Sequence, residues 1–266
     1  MQQADPAKAV PLLEKMLHST DCIKLHRQAL FVLAQSHSPE AQTVIAKLAR
    51  GDSNPDLQRS AIQDLGMYGG SAGRDTLEQI YTSTTDTDTK ISILRAMMMT
   101  GDRGRILKAA TGEKNPELRG EAVRQLGMMG DRVDIWQLYQ SETAPEVKKV
   151  ILQMLWQSGD MDHVSQVALT EKDHSLRLSA VSYLGMMGSK SGTKNEETLL
   201  TIYSSDTDPE IRQKVINALF QANDAKGLVT LARKETDPTM KKAIVSRLSI
   251  MKSPDATAYL LELLNK

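Results

Sequence analysis

Apolar residues along this chain fall at helical spacing and return in nearly the same places with a period of about 29 residues. In Leu118, Ala122, Val123 and Leu126 they sit at relative positions 0, 4, 5 and 8, the stripe of one amphipathic helix. The first position of that stripe recurs at Leu25, Leu57, Thr89, Leu118, Val147, Leu176, Ile211 and Met240. Most steps between these anchors keep the short period, as from Leu118 to Val147 to Leu176; the longer steps place extensions near Ser71–Gly73 and Lys190–Asn195. Both extensions are rich in small and polar residues and are expected between helices. Each helix start is marked by Asn54, Asp86, Asn115, Asp173, Asp208 or Asp237, whose side-chain oxygens can accept from orphan backbone amides. Proline follows at 55, 116, 145, 209 and 238, where it sacrifices no helical hydrogen bond. Gly69, Gly101, Gly130, Gly159, Gly188 and Asn223 stand where a left-handed residue would end the helix. A second apolar stretch follows each stop, as in Ile135–Tyr139 and Leu228–Ala232, and Ala256–Leu264 supplies a final helix without a partner. Strand-like alternation is absent. The pattern predicts an all-α protein, a right-handed α-solenoid of about eight helical hairpins plus a terminal helix. It runs as a single repeat array over residues 1–266.

The motif carried by Asn54–Leu65, Asn115–Leu126 and Asp208–Leu219 is an Asp or Asn cap, Pro, an acid, an aliphatic anchor, a polar or basic residue and the stripe. It resembles the HEAT-repeat family, in particular the short bacterial HEAT-like type, over roughly residues 20–252. The resemblance implies the solenoid fold. It does not select a function, because the family holds scaffolds, adaptors and a few enzymes. Thr89 in place of an apolar anchor, Ala144 in place of a cap and degraded first and last units depart from the pattern. Degraded ends are what capping repeats require.

A longer period lies inside the short one. Nine residues after the anchor stand Gly66, Met98, Gly127, Trp156, Gly185 and Phe220, small and large in turn. The following helices carry Tyr81, Tyr139 and Tyr203 after the glycine units, and Ala110, Ala168 and Ala232 after the bulky ones. This alternation points to a two-repeat ancestor and to volume compensation between neighbouring layers. The alternating position itself lies roughly opposite the stripe and is not expected to serve the hairpin core.

Composition narrows the chemistry. Thirty-three basic residues balance thirty-three acidic ones, and aromatics make up 4%. A nucleic-acid binder usually shows a basic excess, so no nucleic-acid partner is expected. No apolar run approaches the roughly 18–20 residues that span a bilayer, so no membrane is expected either. The chain reads as soluble and cytoplasmic unless an upstream leader or anchor has been removed. Cys22 is the single cysteine, which excludes an internal disulfide, and its place on a terminal helix favours packing. His18, His26, His37, His163 and His174 share no ligand spacing and none forms a His-Glu pair. That separates the chain from HEAT-like di-iron hydroxylases, whose paired His-Glu motifs hold iron. Gly70–Gly73 is no phosphate loop, since neither a strand nor a Gly-Lys-Ser/Thr accompanies it. No catalytic residue, cofactor site or metal site is expected.

Three sets of side chains are candidates for contact or packing. Basic residues recur just after the anchor at Lys90, Arg119, Lys148, Arg177, Arg212 and Lys241, and are expected to pair with the acidic cluster of the preceding turn and tie repeats together. Arg95 and Arg124 point away from the stripe and are candidates for touching a partner. Met67, Met99, Met128 and Met186 all lie ten residues after an anchor, where they either pack on the next repeat or form a soft, adaptable binding surface. Met97, Met129, Met154 and Met187 are read as core. The expected function is a non-catalytic scaffold or adaptor that binds a peptide, helix or protein domain on an inner face formed by the second helices. Two alternatives follow from the resemblance. One is a nucleic-acid-processing enzyme like the HEAT-like alkylpurine DNA glycosylases, which need a basic groove with aromatics. The other is a chromophore helper like the phycobilin lyases. No particular residue supports either.

Overall fold

The computed structural model describes residues 6–19, 23–36, 38–52, 54–186 and 193–265. Cys22, His37, Met187 and Gly188 therefore lie outside the described residues, as does the extension at 190–192. Among the described residues there are seventeen α-helices and no strand, so the fold is an all-α solenoid. The eight anchors open α2 (Ile23–Ser36), α4 (Pro55–Tyr68), α6 (Thr87–Met99), α8 (Pro116–Met128), α10 (Pro145–Gln157), α12 (His174–Met186), α14 (Pro209–Gln221) and α16 (Pro238–Ile250). The second helices are α3 (Pro39–Arg50), α5 (Gly70–Ser83), α7 (Arg103–Gly112), α9 (Arg132–Ser141), α11 (Met161–Thr170), α13 (Thr193–Ser205), α15 (Ala225–Lys234) and α17 (Pro254–Leu264). The remaining helix, α1 (Pro6–Ser19), precedes the first anchor and the repeat pattern does not announce it. The C-terminal helix is not left without contacts, since α17 packs on α15 and α16.

The chain divides into two compact units, Met1–Asp131 and Arg132–Lys266. In the first, α2, α4, α6 and α8 pack successively side by side; in the second, α10, α12, α14 and α16 do the same. Burial follows the stripe. Leu118, Ala122, Val123 and Leu126 are all buried, and so are Ile211, Val215, Ile216 and Leu219. The first repeat is worn in this respect, since its anchor Leu25 is exposed while Ala29, Leu30 and Leu33 are buried.

The caps form as the sequence dictates. Asn54 accepts from Leu57 N, Asp86 from Thr89 N, Asp173 from Leu176 N and Asp237 from Thr239 N and Met240 N. Ala144 offers no side-chain cap, and in the turn before it Glu142 accepts from the amides of Thr143 and Ala144. The second helices have caps of their own that the repeat pattern left unread: Asp102, Asp160 and Asp224 accept from the amides of Arg105, His163 and Gly227. Gly101, Gly130, Gly159 and Asn223 take positive φ and end their helices as expected.

The first extension is not a loop. Gly69 keeps φ −76°, Gly70 takes φ +56°, and Ser71–Gly73 becomes the opening turn of α5. A Cβ on Gly69 would stand 2.5 Å from the Leu65 carbonyl oxygen and one on Gly73 equally close, so glycine alone lets α4 turn straight into α5.

The alternating position is also reassigned. Gly66 and Gly185 are buried in the interface with the next capped helix rather than turned away from the core. A Cβ on Gly185 would meet Ala218 Cα at 2.5 Å, and one on Gly66 would meet Ala96 Cβ at 3.0 Å. The immediate neighbour of each glycine is thus an alanine, and it is this close helix approach that requires the small residue. Gly185→Val should destabilise the protein by about 1–3 kcal/mol, whereas Gly104→Ala, whose Cβ meets nothing within 4 Å, should be neutral or stabilising. Paired urea denaturation curves check this. Equal midpoints for the two variants would contradict the close-approach account.

Candidate functional site

The repeat places equivalent side chains of neighbouring helices in rows, and one row stands out. Met67 on α4, Met99 on α6 and Met128 on α8 are 50%, 47% and 61% exposed. They occupy the same position on three successively packed helices of the first unit, at the roughly 8–10 Å spacing of packed helices. About half of each side chain thus faces solvent and the remainder is covered. Met186 holds the same position on α12 in the second unit and is likewise exposed. These helices are the capped ones that open each hairpin, so the row lies on their face and not on that of the second helices. Met97 and Met154 are core, as their positions imply.

Arg95 and Arg124 do reach the surface, but neither stands alone. Arg95 Nε donates to Glu121 Oε1 at 2.8 Å, Arg124 Nη1 to Glu121 Oε2 at 2.9 Å, and Gln125 Nε2 adds a bond at 3.0 Å. Glu121 is buried. One buried carboxylate therefore anchors two arginines from adjacent helices, the same two that carry Met99 and Met128. Sequence inspection misses Glu121 because it lies on the capped helix among residues that read as polar surface.

Asp64, one turn before Met67 on α4, is a second carboxylate that the repeat pattern does not reveal. It has neither a hydrogen bond nor an ion pair among the described residues, and burial alone raises its pKa to about 6.

The basic residues after the anchors hold the stack together, with a different partner from the one expected. Lys90 pairs with Glu113 at 2.8 Å, Lys148 with Glu171 at 3.0 Å, and Arg212 with Glu235. These acids close the turn after the following helix rather than the one before. Arg177 reaches forward likewise to Asp206. Arg119 instead turns back, donating to the carbonyls of Glu113 and Lys114. The alternating tyrosines complete the arrangement. Lys90 lies 4.8 Å over the Tyr81 ring, Lys148 4.8 Å over Tyr139 and Arg212 4.4 Å over Tyr203. Tyr139 OH donates to Glu171 at 2.6 Å, and Tyr203 OH to Glu235. Glu171 and Glu235 also accept two backbone amides each, from residues 172–173 and 236–237. Burial works to raise the Glu171 pKa, but Tyr139, those amides and Lys148 outweigh it and bring it down to about 2. Burial and then Glu171 hold the Tyr139 hydroxyl above its ordinary range.

Two histidines are held by local contacts. His163 bonds Asp160 at 2.8 Å and stacks on Trp136, and His174 meets Asp208 at 2.9 Å. Among the described residues no group of three or more His, Cys, Asp or Glu is placed to hold a metal, and no helix is long and apolar enough to cross a membrane.

A profile of HEAT repeats matches residues 8–98 and 196–266. No curated protein matches the sequence significantly. Solved structures similar to this chain include three that align over most of its length. The complex of CpcE and CpcF of phycocyanin lyase from Nostoc sp. PCC7120 shows 16% identity over 94% of this chain and 96% of that chain, with a TM-score of 0.36. YibA of Escherichia coli shows 11% over 94% and 98%, with a TM-score of 0.46. Human deoxyhypusine hydroxylase in complex with glycerol shows 19% over 96% and 89%, with a TM-score of 0.33. Likenesses of this degree decide nothing about activity or partner.

The isolated carboxylate gives a pH prediction. A folded-state pKa of about 6 against an ordinary value of 3.8 means that ionisation of Asp64 costs stability. The penalty is absent below about pH 4, grows up to about pH 6 and is constant above it. Asp64→Asn should therefore stabilise the protein by about 1–3 kcal/mol at pH 7.5 and hardly at all at pH 4. Urea denaturation at the two pH values tests this; an equal gain at both would contradict it.

Proposed function

Because the chain belongs to the HEAT-repeat family, we propose that it serves as a protein-binding scaffold, without chemistry of its own, and that its capped-helix face takes an amphipathic helix. The observation that carries this reading is the row of half-exposed methionines at one repeat position on α4, α6 and α8. Thioether side chains in water give up contact that a partner can restore, and their unbranched flexibility suits a partner helix with apolar residues at i, i+3, i+4 and i+7. Arg95 and Arg124, held on Glu121, share α6 and α8 with the row and can meet acidic residues on the partner's flank. Anchoring on a buried carboxylate lowers the entropy that each arginine loses on binding. The balanced total charge argues for recognition of this mixed kind over tracking of a polyanion.

The test is selection of helical peptides from a displayed random library, followed by affinity measurement on the wild type and on Met67→Glu/Met99→Glu/Met128→Glu. All three positions are exposed, so the variant is expected to keep its circular dichroism spectrum and melting temperature. Selected peptides should carry the apolar spacing with acidic flanks and bind the variant at least ten-fold more weakly. Peptides that bind both proteins equally would place the binding surface elsewhere.

A further inference from the structure

The three tyrosine–cation–carboxylate clusters are built alike, so each serves as a control for the others. The first is accompanied by a substantial cleft. A cavity of about 430 Å³ opens between α5, α6 and α7, and Tyr81, Lys90 and Glu113 line it together with the buried Met97 and Ala109. That volume is in the range of small-molecule sites.

Repeat position shows what makes the room. Ala109 stands where the second cluster has Val167 and the third Leu231, both buried. Gly112 stands where they have Thr170 and Lys234, and a Cβ there would meet nothing within 4 Å. Two truncations on one helix thus hollow out the first cluster. The Tyr81 hydroxyl differs as well: it is buried beside Glu113 without meeting it in good geometry, whereas Tyr139 and Tyr203 donate to their glutamates.

The charge of the lining is equally particular. Lys90, Arg105, Lys108 and Lys114 face two carboxylates, Glu78 and Glu113. Arg105 is already held by Glu78, Asp75 and Asp102. Lys108, 77% exposed at the rim and in a long 3.6 Å ion pair with Glu78, replaces Gln166 and Thr230 of the sister clusters. Lys114 is also exposed. A lining that combines buried Met97 and Ala109 with two exposed ammonium groups is complementary to an apolar tail that ends in a carboxylate.

We propose that this cavity binds a small amphipathic carboxylate, its tail over Met97 and Ala109 and its carboxylate at Lys108 and Lys114. The site is separate from the methionine row and does not rest on the scaffold reading. Isothermal titration of the full chain with octanoate tests it, with octanol as the uncharged control. The wild type should bind octanoate saturably and at least ten-fold more tightly than octanol. Ala109→Leu/Gly112→Thr, which fills the cavity with the sister residues, should lose binding at least ten-fold. Lys108→Gln, an exposed change to the residue of the second cluster, should weaken octanoate several-fold without affecting octanol. If the filled variant does not fold, Lys108→Gln still decides. Failure to saturate, equal affinity for octanol, or undiminished binding in a folded filled variant or in Lys108→Gln would overturn the proposal.

Discussion

A single helical hairpin of this kind has an apolar stripe on each helix and no second layer of its own in which to bury both. Every repeat therefore depends on the one beside it, and the sequence must specify how closely and in what register neighbouring hairpins meet. Two devices do this here. Gly66 and Gly185 bring one capped helix against an alanine of the next. A carboxylate in the turn after the next pair of helices, Glu113, Glu171 or Glu235, then gathers a cation, and in the two later clusters a tyrosine hydroxyl and two amides.

The clusters explain why the chain alternates in steps of two repeats. The tyrosine belongs to a glycine unit, while the cation and glutamate belong to the bulky unit that follows. Neither type can complete the cluster with its own kind. Ala110, Ala168 and Ala232 occupy the tyrosine position in the bulky units, and Arg177, which opens the glycine unit after Ala168, finds Asp206 instead of a tyrosine-bound glutamate. The alternation is thus a division of polar work between neighbours. The direct volume exchange between glycine and tyrosine is not needed to explain it, because the nearest atoms to Gly66 and Gly185 belong to an alanine.

Most of the fold was legible in the sequence, and for physical reasons. Caps, anchors and stops are local features, and a side chain such as Asn54 or Asp237 need only look two or three residues ahead. What escaped was long-range or depended on exact backbone geometry. The glutamates of the clusters lie 23 residues from their cations, and acids in turns read equally well as solvated surface. Ser71–Gly73 has loop composition, yet the paired approach of Gly69 and Gly73 to Leu65 makes it helix. Helix α1 precedes the first anchor and carries Pro11 in its interior, so it lies outside the period. At the candidate surface, repeat position alone singles out the four methionines, whereas their exposure and the anchoring of Arg95 and Arg124 on Glu121 depend on how neighbouring helices meet.

The same economy shapes function. Because the clusters and close glycines hold the layers, the exposed part of the methionine row is left facing solvent on the capped helices. The central physical claim is that the carboxylate cluster couples adjacent repeats and is more than surface pairing. A double-mutant cycle on Lys148→Met and Glu171→Gln, read by equilibrium unfolding at pH 7, tests that claim most directly. The partly buried pair should show a coupling energy of about 1–3 kcal/mol. Additivity within about 0.3 kcal/mol, as at independent sites, would contradict the account.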